Sequence, residues 1–301
     1  MESRASRVNA IFRPGQDEPT GRRRLPVATR ALPLALPLVL CAATIAGGTA
    51  HAQSLDNKYW INAAAYFPKI DTNVRVATKT QTEVATDIDF EKDLGLDDNK
   101  VLPSVSAGAR FGRVIVGVDY FKLNRTGNVN LGRDINFDGE TYPLNAAVRS
   151  TFDSDIYRVT VGYAIVRKPD LQLGAAIGLH ATKFDMGIAA QGRGSNQATA
   201  VAARRKDVLA PLPTLGLFGT YRIAPRVDLN ARADYLSLKI DQYDGRLLNA
   251  QAGVNYSIVK NIALGVIYRY VDYRLGVDKD NWDGRVRYKL HGPAILVQAS
   301  F

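Results

Sequence analysis

The chain has 301 residues and a formal net charge of +10, and 46% of its residues are hydrophobic. Its arginines are dispersed singly rather than gathered in one patch, which argues against a nucleic-acid partner. The single cysteine, Cys41, excludes an intramolecular disulfide. The sequence offers no cofactor motif. A metal site needs three or four donors, and two distant histidines, His180 and His291, without a neighbouring cysteine do not supply them.

The amino terminus has the features of a secretory signal. An apolar run over residues 31–46 follows a stretch rich in arginine, and Ala50-His51-Ala52 matches the A-x-A cleavage pattern. The run is too short, and too interrupted by prolines, for a spanning helix of about 20 apolar residues. We therefore predict a signal peptide over residues 1–52 and one mature domain over residues 53–301. The mature chain keeps a net charge of +6, because the first 52 residues hold seven arginines and three acidic residues.

Beyond Leu55, the chain consists of segments in which apolar residues alternate with polar or small ones, as in strands that lie between lipid and a lumen. Short connections alternate with long ones, which is the arrangement of outer-membrane barrels, with the short turns in the periplasm. The sequence therefore predicts an all-β fold, a transmembrane antiparallel up-and-down β-barrel of about ten strands. Eight strands are possible if the first segment and one weaker segment lie outside the ladder, and twelve if Val74–Phe90 forms an embedded hairpin. The predicted strands cover about residues 58–67, 102–111, 113–123, 152–165, 170–184, 212–222, 226–239, 246–258, 261–274 and 286–301.

Aromatic residues on the outward parity of these strands fall at two levels, as expected for belts at the two membrane boundaries. One set lies beside a short turn or a terminus, and we predict that it forms the first membrane interface. These residues are Tyr59, Phe111, Tyr163, Tyr221, Tyr256 and Phe301. A second set lies seven to nine positions further along the strands and comprises Phe67, Tyr120, Tyr235 and Tyr268.

The last strand carries the most specific pattern, with Ile295, Val297 and the terminal Phe301 on one face. With this ending, the signal, the strands and the belts, the chain resembles small bacterial outer-membrane β-barrel proteins of the broad porin-like and OmpA-like superfamily, over about residues 55–301. The resemblance implies a place in the outer membrane of a Gram-negative cell, in contact with lipid and lipopolysaccharide. It also implies that Ile295, Val297 and Phe301 are read by the barrel-assembly machinery. It implies no activity, and we expect a monomer.

Charged residues on the inward parity collect at one level, about halfway along the barrel. In a narrow lumen they are expected to meet and to neutralise one another, because an unpaired buried charge is costly. This predicted lumen charge network consists of Asp119, Arg158, His180, Arg232, Asp234 and Arg269. A soluble barrel with an apolar interior is the alternative fold, and it is disfavoured because the inward residues look too rich in Gly, Ala, Asn and charges to form a dry core.

These patterns predict a non-enzymatic barrel with a structural or surface-interaction role, whose lumen the charge network closes. The alternatives are a narrow passive channel along the arginines and a lipid A or peptide hydrolase. Hydrolysis is disfavoured because no serine is placed beside His180, although Asp119 and Asp234 could act as its partners. The basic stretch around Gly192–Asn196, followed by Arg204 and Arg205, could contact lipopolysaccharide phosphates or be a solvated loop.

Overall fold

The structure is a computed structural model, and it describes residues 55, 57–78, 86–190, 203–240, 242–278 and 282–301. The predicted signal peptide, residues 1–52, and the basic stretch Gly192–Asn196 lie outside these residues. No helix in the described part of the chain is long and apolar enough to cross a membrane. Its strands are β1 (Tyr59–Tyr66), β2 (Lys69–Thr78), β3 (Ile88–Asp89), β4 (Leu102–Phe111), β5 (Val114–Asn130), β6 (Ile135–Phe137), β7 (Glu140–Tyr142), β8 (Ala147–Arg167), β9 (Leu171–Ala190), β10 (Ala203–Ala224), β11 (Val227–Ile240), β12 (Tyr243–Val259), β13 (Ile262–Asp278) and β14 (Trp282–Ser300).

Ten of the strands in the described residues form a closed antiparallel ring. Their order is β1, β4, β5, β8, β9, β10, β11, β12, β13 and β14, and β14 returns to pair with β1. The closing ladder runs from Trp60 opposite Ser300 to Tyr66 opposite Ala294. This ring confirms the predicted ten-stranded antiparallel barrel. We call the end with the tight connections, such as residues 112–113 and 260–261, the short-turn end, and the opposite end the long-loop end.

The first barrel strand is longer than the sequence analysis predicted. Residues 68–101 were expected to form a loop, but β2 resumes the strand after Phe67 and Pro68 and pairs with β14 over ten positions. Pro68 interrupts the ladder because it has no N–H to donate. The backbones come close at this break, where a methyl group on Gly292 would lie 2.3 Å from the Phe67 carbonyl oxygen. β3 pairs with β2 and not with a ring strand, so the ring of described strands stays at ten.

Several strands extend well past the length needed to cross a membrane. β8, β9 and β10 have 21, 20 and 22 residues, whereas a crossing strand needs about 9–11. The corresponding predicted strands end near residues 152, 184 and 212. Beyond those points the outward side chains become polar, so the sequence looks like that of a loop. The inward side chains stay buried at every second position, as in a strand.

The inside of these extensions holds an aromatic and aliphatic core, which corrects the expectation that the lumen would be too polar for one. Phe152 of β8 is fully buried. Its ring lies 5.9 Å from that of Phe184 on β9 and 5.4 Å from that of Tyr288 on β14. Because β8 and β14 are not neighbours in the ring, this contact crosses the lumen. The long-loop half of the lumen is therefore a dry core, and the charged residues lie below it.

Candidate functional site

Four of the six predicted lumen charges meet in one ion-pair chain. Asp119 and Arg158 are direct cross-strand partners on β5 and β8, and the Arg158 Nε donates to Asp119 Oδ2 at 2.9 Å. The Arg158 Nη1 donates to Asp234 Oδ2 at 2.8 Å. Arg232 donates to both oxygens of Asp234, at 2.8 Å each. Arg158 thus joins two carboxylates from different walls of the barrel.

A glycine makes room for this chain. Gly216 on β10 lies opposite Asp234 on β11, and a methyl group on Gly216 would lie only 2.2 Å from Asp234 Oδ1. Any larger residue would push Asp234 away from Arg158 and Arg232. The close approach therefore depends on the absence of a side chain at this position.

The other two predicted members lie nearby but form different contacts. Arg269 donates to Gln251 Oε1 at 2.8 Å through Nη2, and its guanidinium lies 5.8 Å from the ring centre of Tyr66. His180 is 1% exposed, and its ring lies 6.4 Å from that of Tyr273. Among the described residues, neither ring nitrogen of His180 has a hydrogen-bond partner. The structure therefore joins neither residue to a carboxylate.

A segment of the chain is folded into the lumen above the ion-pair chain, and the sequence analysis did not predict it. We call residues 86–101 the inserted segment. Its Phe90 ring stands edge-on to that of Phe152 at 5.6 Å, and Phe90 and Leu94 are fully buried. Its Glu91 accepts a hydrogen bond from the Thr72 N–H at 2.8 Å and forms an ion pair with Arg125.

Arg125 is the anchor of the inserted segment. Its side chain is completely buried, and besides binding Glu91 it donates to Thr72 Oγ1 at 2.6 Å and to the Asp97 carbonyl oxygen at 3.1 Å. Its guanidinium also lies 5.0 Å from the ring centre of Phe152. Inward parity along β5 leads from Asp119 to Arg125, so a longer predicted strand would have found this residue.

A small hairpin covers the inserted segment at the long-loop end. β6 and β7 are joined by Asp138 and Gly139, whose positive φ angles of 49° and 79° fit a tight hairpin turn. Ile135 and Phe137 of β6 are themselves fully buried. Before the hairpin, Arg133 donates to the Asp87 carbonyl oxygen at 2.7 Å and binds Asp93, and this hydrogen bonding raises the pKa of Arg133.

The geometry gives a specific prediction at the contact between the inserted segment and β5. A methyl group on Gly127 would lie 2.2 Å from the Leu94 carbonyl oxygen, whereas one on Gly132 would meet open space. We expect Gly127→Ala to destabilise the protein by about 1–3 kcal/mol, because the backbone of the inserted segment must shift. Gly132→Ala is the matched control and should stay within about 0.5 kcal/mol of the wild type. Urea unfolding in lipid vesicles measures both, and equal unfolding midpoints would show that the segment is not docked there.

The lumen is less filled toward the short-turn end. A cavity of about 230 Å³ lies there, lined mainly by polar side chains that include Arg110, Gln172 and Asn230. Leu55, which is buried, also borders it. The lumen therefore has three levels: a polar cavity, the ion-pair chain, and the apolar core with the inserted segment.

The outer face carries the predicted aromatic residues. The six side chains of the first set are between 47% and 63% exposed, so each one points away from the lumen. Phe67, Tyr120, Tyr235 and Tyr268 of the second set are also exposed. On β14, Ile295 and Val297 share the outer face with Phe301, whose backbone bonds to Tyr59. Their roles at the membrane interface and in assembly stay predictions.

Comparison with solved structures identifies the architecture. The outer membrane protease OmpT from Escherichia coli aligns with a TM-score of 0.51 and 10% sequence identity, over 82% of this chain and 98% of that chain. The chain has the fold of an outer-membrane β-barrel. Neisserial surface protein A also aligns, with a TM-score of 0.30 and 13% identity, over 81% of this chain and 97% of that chain. The Pseudomonas putida toluene transporter TodX aligns with a TM-score of 0.34 and 11% identity, over 82% of this chain and 90% of that chain. No protein-family model and no curated protein matches its sequence.

Proposed function

We propose that this outer-membrane barrel is closed and has a structural or surface-interaction role rather than a channel function. One observation carries the proposal: the long-loop half of the lumen holds a dry core that contains the inserted segment, anchored by Arg125. A conducting pore needs a continuous polar path, and buried aromatic rings from opposite walls meet across this one.

The ion-pair chain supports the same conclusion at a second level. Arg158 spans from Asp119 on β5 to Asp234 on β11, so its side chain lies across the bore. Charges that are paired in this way hold one another in place and offer no free site to a passing ion. The closed lumen thus depends on two layers of different chemistry, an ionic one and an apolar one.

Planar-bilayer recording tests the proposal. We expect the wild-type protein to give no reproducible single-channel steps. A variant with Phe90→Ser, Leu94→Ser and Leu96→Ser together with Arg158→Ala serves as the comparison. It should produce conductance steps, because it releases the inserted segment from the core and also breaks the ion-pair chain that spans the bore. Reproducible steps from the wild type would favour the narrow passive channel instead.

We do not propose hydrolysis, although the aligned Escherichia coli protein is a protease by name. A general base must reach its substrate and be oriented by a hydrogen bond. His180 is buried beneath the aromatic core, and the described residues offer neither of its ring nitrogens a partner. These contacts support a structural position for His180.

A further inference from the structure

Three arginines form a row across three neighbouring strands on the outer face. Arg246 of β12 lies in register with Arg274 of β13, and Arg274 lies in register with Arg287 of β14. The residues that flank Arg274 along β13, Tyr273 and Leu275, are buried in the lumen, so Arg274 points outward. Like charges directly opposite one another destabilise a sheet. A row of three therefore calls for a negatively charged neighbour.

The protein itself neutralises this row only in part. Asp272 binds Arg274, at 2.9 Å from its Nη2. In the described chain, no ion pair joins Arg246 or Arg287 to an acid, and both side chains are exposed. Lys289 lies beside the row, in register with Asp272 of β13 and with Asp71 of β2. The outward side chains at these ends of β12, β13 and β14 comprise five basic and four acidic residues, a net charge of +1. The acidic residues are Asp244, Asp272, Asp278 and Asp283, so the positive charge is concentrated at the arginine row itself.

An apolar groove lies next to the row toward the short-turn end, mainly on β10 to β13, so that it shares β12 and β13 with the row. It has a volume of about 580 Å³ and is lined mainly by small and apolar residues. Ala250 and Ala252 of β12 face Tyr270 and Tyr268 of β13 across it. Leu217 of β10, which is exposed on the outer face, lies on its other side.

The spacing between the row and the groove fits an amphiphile. Four residues of strand separate Arg274 from Tyr270, which is about 13 Å along a strand and less along the membrane normal because barrel strands tilt. Tyr268 belongs to the second aromatic set, which we predict to lie at the level where headgroups begin. The row therefore lies on the headgroup side of this belt, and the groove extends from the belt toward the hydrocarbon layer.

We propose that this surface binds lipopolysaccharide, with lipid A phosphates on the arginine row and an acyl chain in the groove. Guanidinium groups bind phosphate through paired, charge-assisted hydrogen bonds, which makes arginine the suitable residue here. The alanines leave space for an acyl chain, and the tyrosine rings form one side of the groove. This proposal is independent of the closed lumen, because both parts of the surface are on the outside of the barrel.

Binding of lipid A to the detergent-extracted protein, followed by native mass spectrometry, tests the phosphate half. We expect bisphosphorylated lipid A to bind about tenfold more tightly than dephosphorylated lipid A, since the phosphates supply the charge-assisted bonds. The variant Arg246→Gln/Arg287→Gln should lose this preference, because it removes the two arginines that have no ion pair. The control Lys168→Gln/Arg226→Gln removes two exposed charges at the short-turn end and should bind as the wild type does.

A second pair of variants tests the acyl-chain half. Ala250→Phe fills the groove and should weaken lipid A binding, while Ala107→Phe, on the outer face of β4, should leave it unchanged. Inorganic phosphate should not compete at concentrations that saturate lipid A. The proposal is overturned if Arg246→Gln/Arg287→Gln binds bisphosphorylated lipid A as tightly as the control Lys168→Gln/Arg226→Gln does. It is also overturned if the wild type binds dephosphorylated lipid A as tightly as the bisphosphorylated form, or if inorganic phosphate displaces the lipid. It is also overturned if the two phenylalanine variants bind alike.

Discussion

Arg158→Ala should destabilise the barrel by about 3–5 kcal/mol, because it removes the shared partner of two carboxylates that are largely buried. Asp119 and Asp234 would keep their desolvated charges, and Asp234 would keep only Arg232. The breaking of a buried pair costs more than the pair contributes, since the remaining charge has no water to solvate it. Urea unfolding in lipid vesicles measures the effect, with heat-modifiable mobility in gels as a check that the variant folds.

Two controls separate the loss of the shared partner from the loss of any lumen arginine. Arg232→Ala should cost about 1.5–3 kcal/mol, because Asp234 keeps its bond to Arg158 and the Arg232 side chain is 20% exposed. Adding Asp119→Asn and Asp234→Asn to Arg158→Ala should recover part of the lost stability by removing the unpaired charges. If Arg158→Ala and the wild type unfold at the same urea concentration, the ion-pair chain does not stabilise the barrel.

The sequence could predict the ion-pair chain only in outline. Parity and distance from the short turns put Asp119, Arg158 and Asp234 at one level inside the barrel. The partners depend on strand register and on the narrow bore, which lets Arg158 reach both walls. Neither alternation nor turn length determines whether Arg269 meets a carboxylate or, as observed, the amide of Gln251.

The dry core was missed because the pattern of alternation reverses along one strand. On β8, Tyr163 and Val161 face outward, as expected where lipid surrounds the barrel. Further along the same strand, beyond Tyr157, the buried apolar residues are Ile156 and Phe152, on the inward parity. A barrel that extends past the membrane has water outside, so its apolar side chains turn to the lumen. If apolar residues are expected on the outward face along the whole strand, the predicted strand ends at the membrane boundary, although the real strand continues beyond it.

The inserted segment and its covering hairpin differ in how far they could have been predicted. Asp138-Gly139 between Ile135 and Tyr142 is a hairpin signal that the sequence does contain. By contrast, Phe90 and Leu94 lie in a stretch without strand periodicity, and their burial depends on Arg125 and Phe152 from distant strands. Tertiary contacts of this kind leave no local signal in the sequence.

Phe152→Ala should destabilise the protein by about 3–5 kcal/mol, the cost of emptying a well-packed aromatic site. The lost ring contacts Phe90, Phe184 and Tyr288, and it also lies under the guanidinium of Arg125. Its removal therefore weakens both the core and the anchor of the inserted segment, which should become more sensitive to protease.

The matched control is Phe218→Ala, which removes the same ring at the less filled level of the lumen. Phe218 packs on Gly162 and Gly174 but also borders the 230 Å³ cavity, so its loss should cost about 2 kcal/mol, less than that of Phe152, since part of its ring faces the cavity. Urea unfolding in lipid vesicles and limited proteolysis of residues 86–101 measure both variants. If Phe218→Ala destabilises the barrel as much as Phe152→Ala, packing is equally important at both levels, and the apolar core at the long-loop end is not the main closure of the lumen.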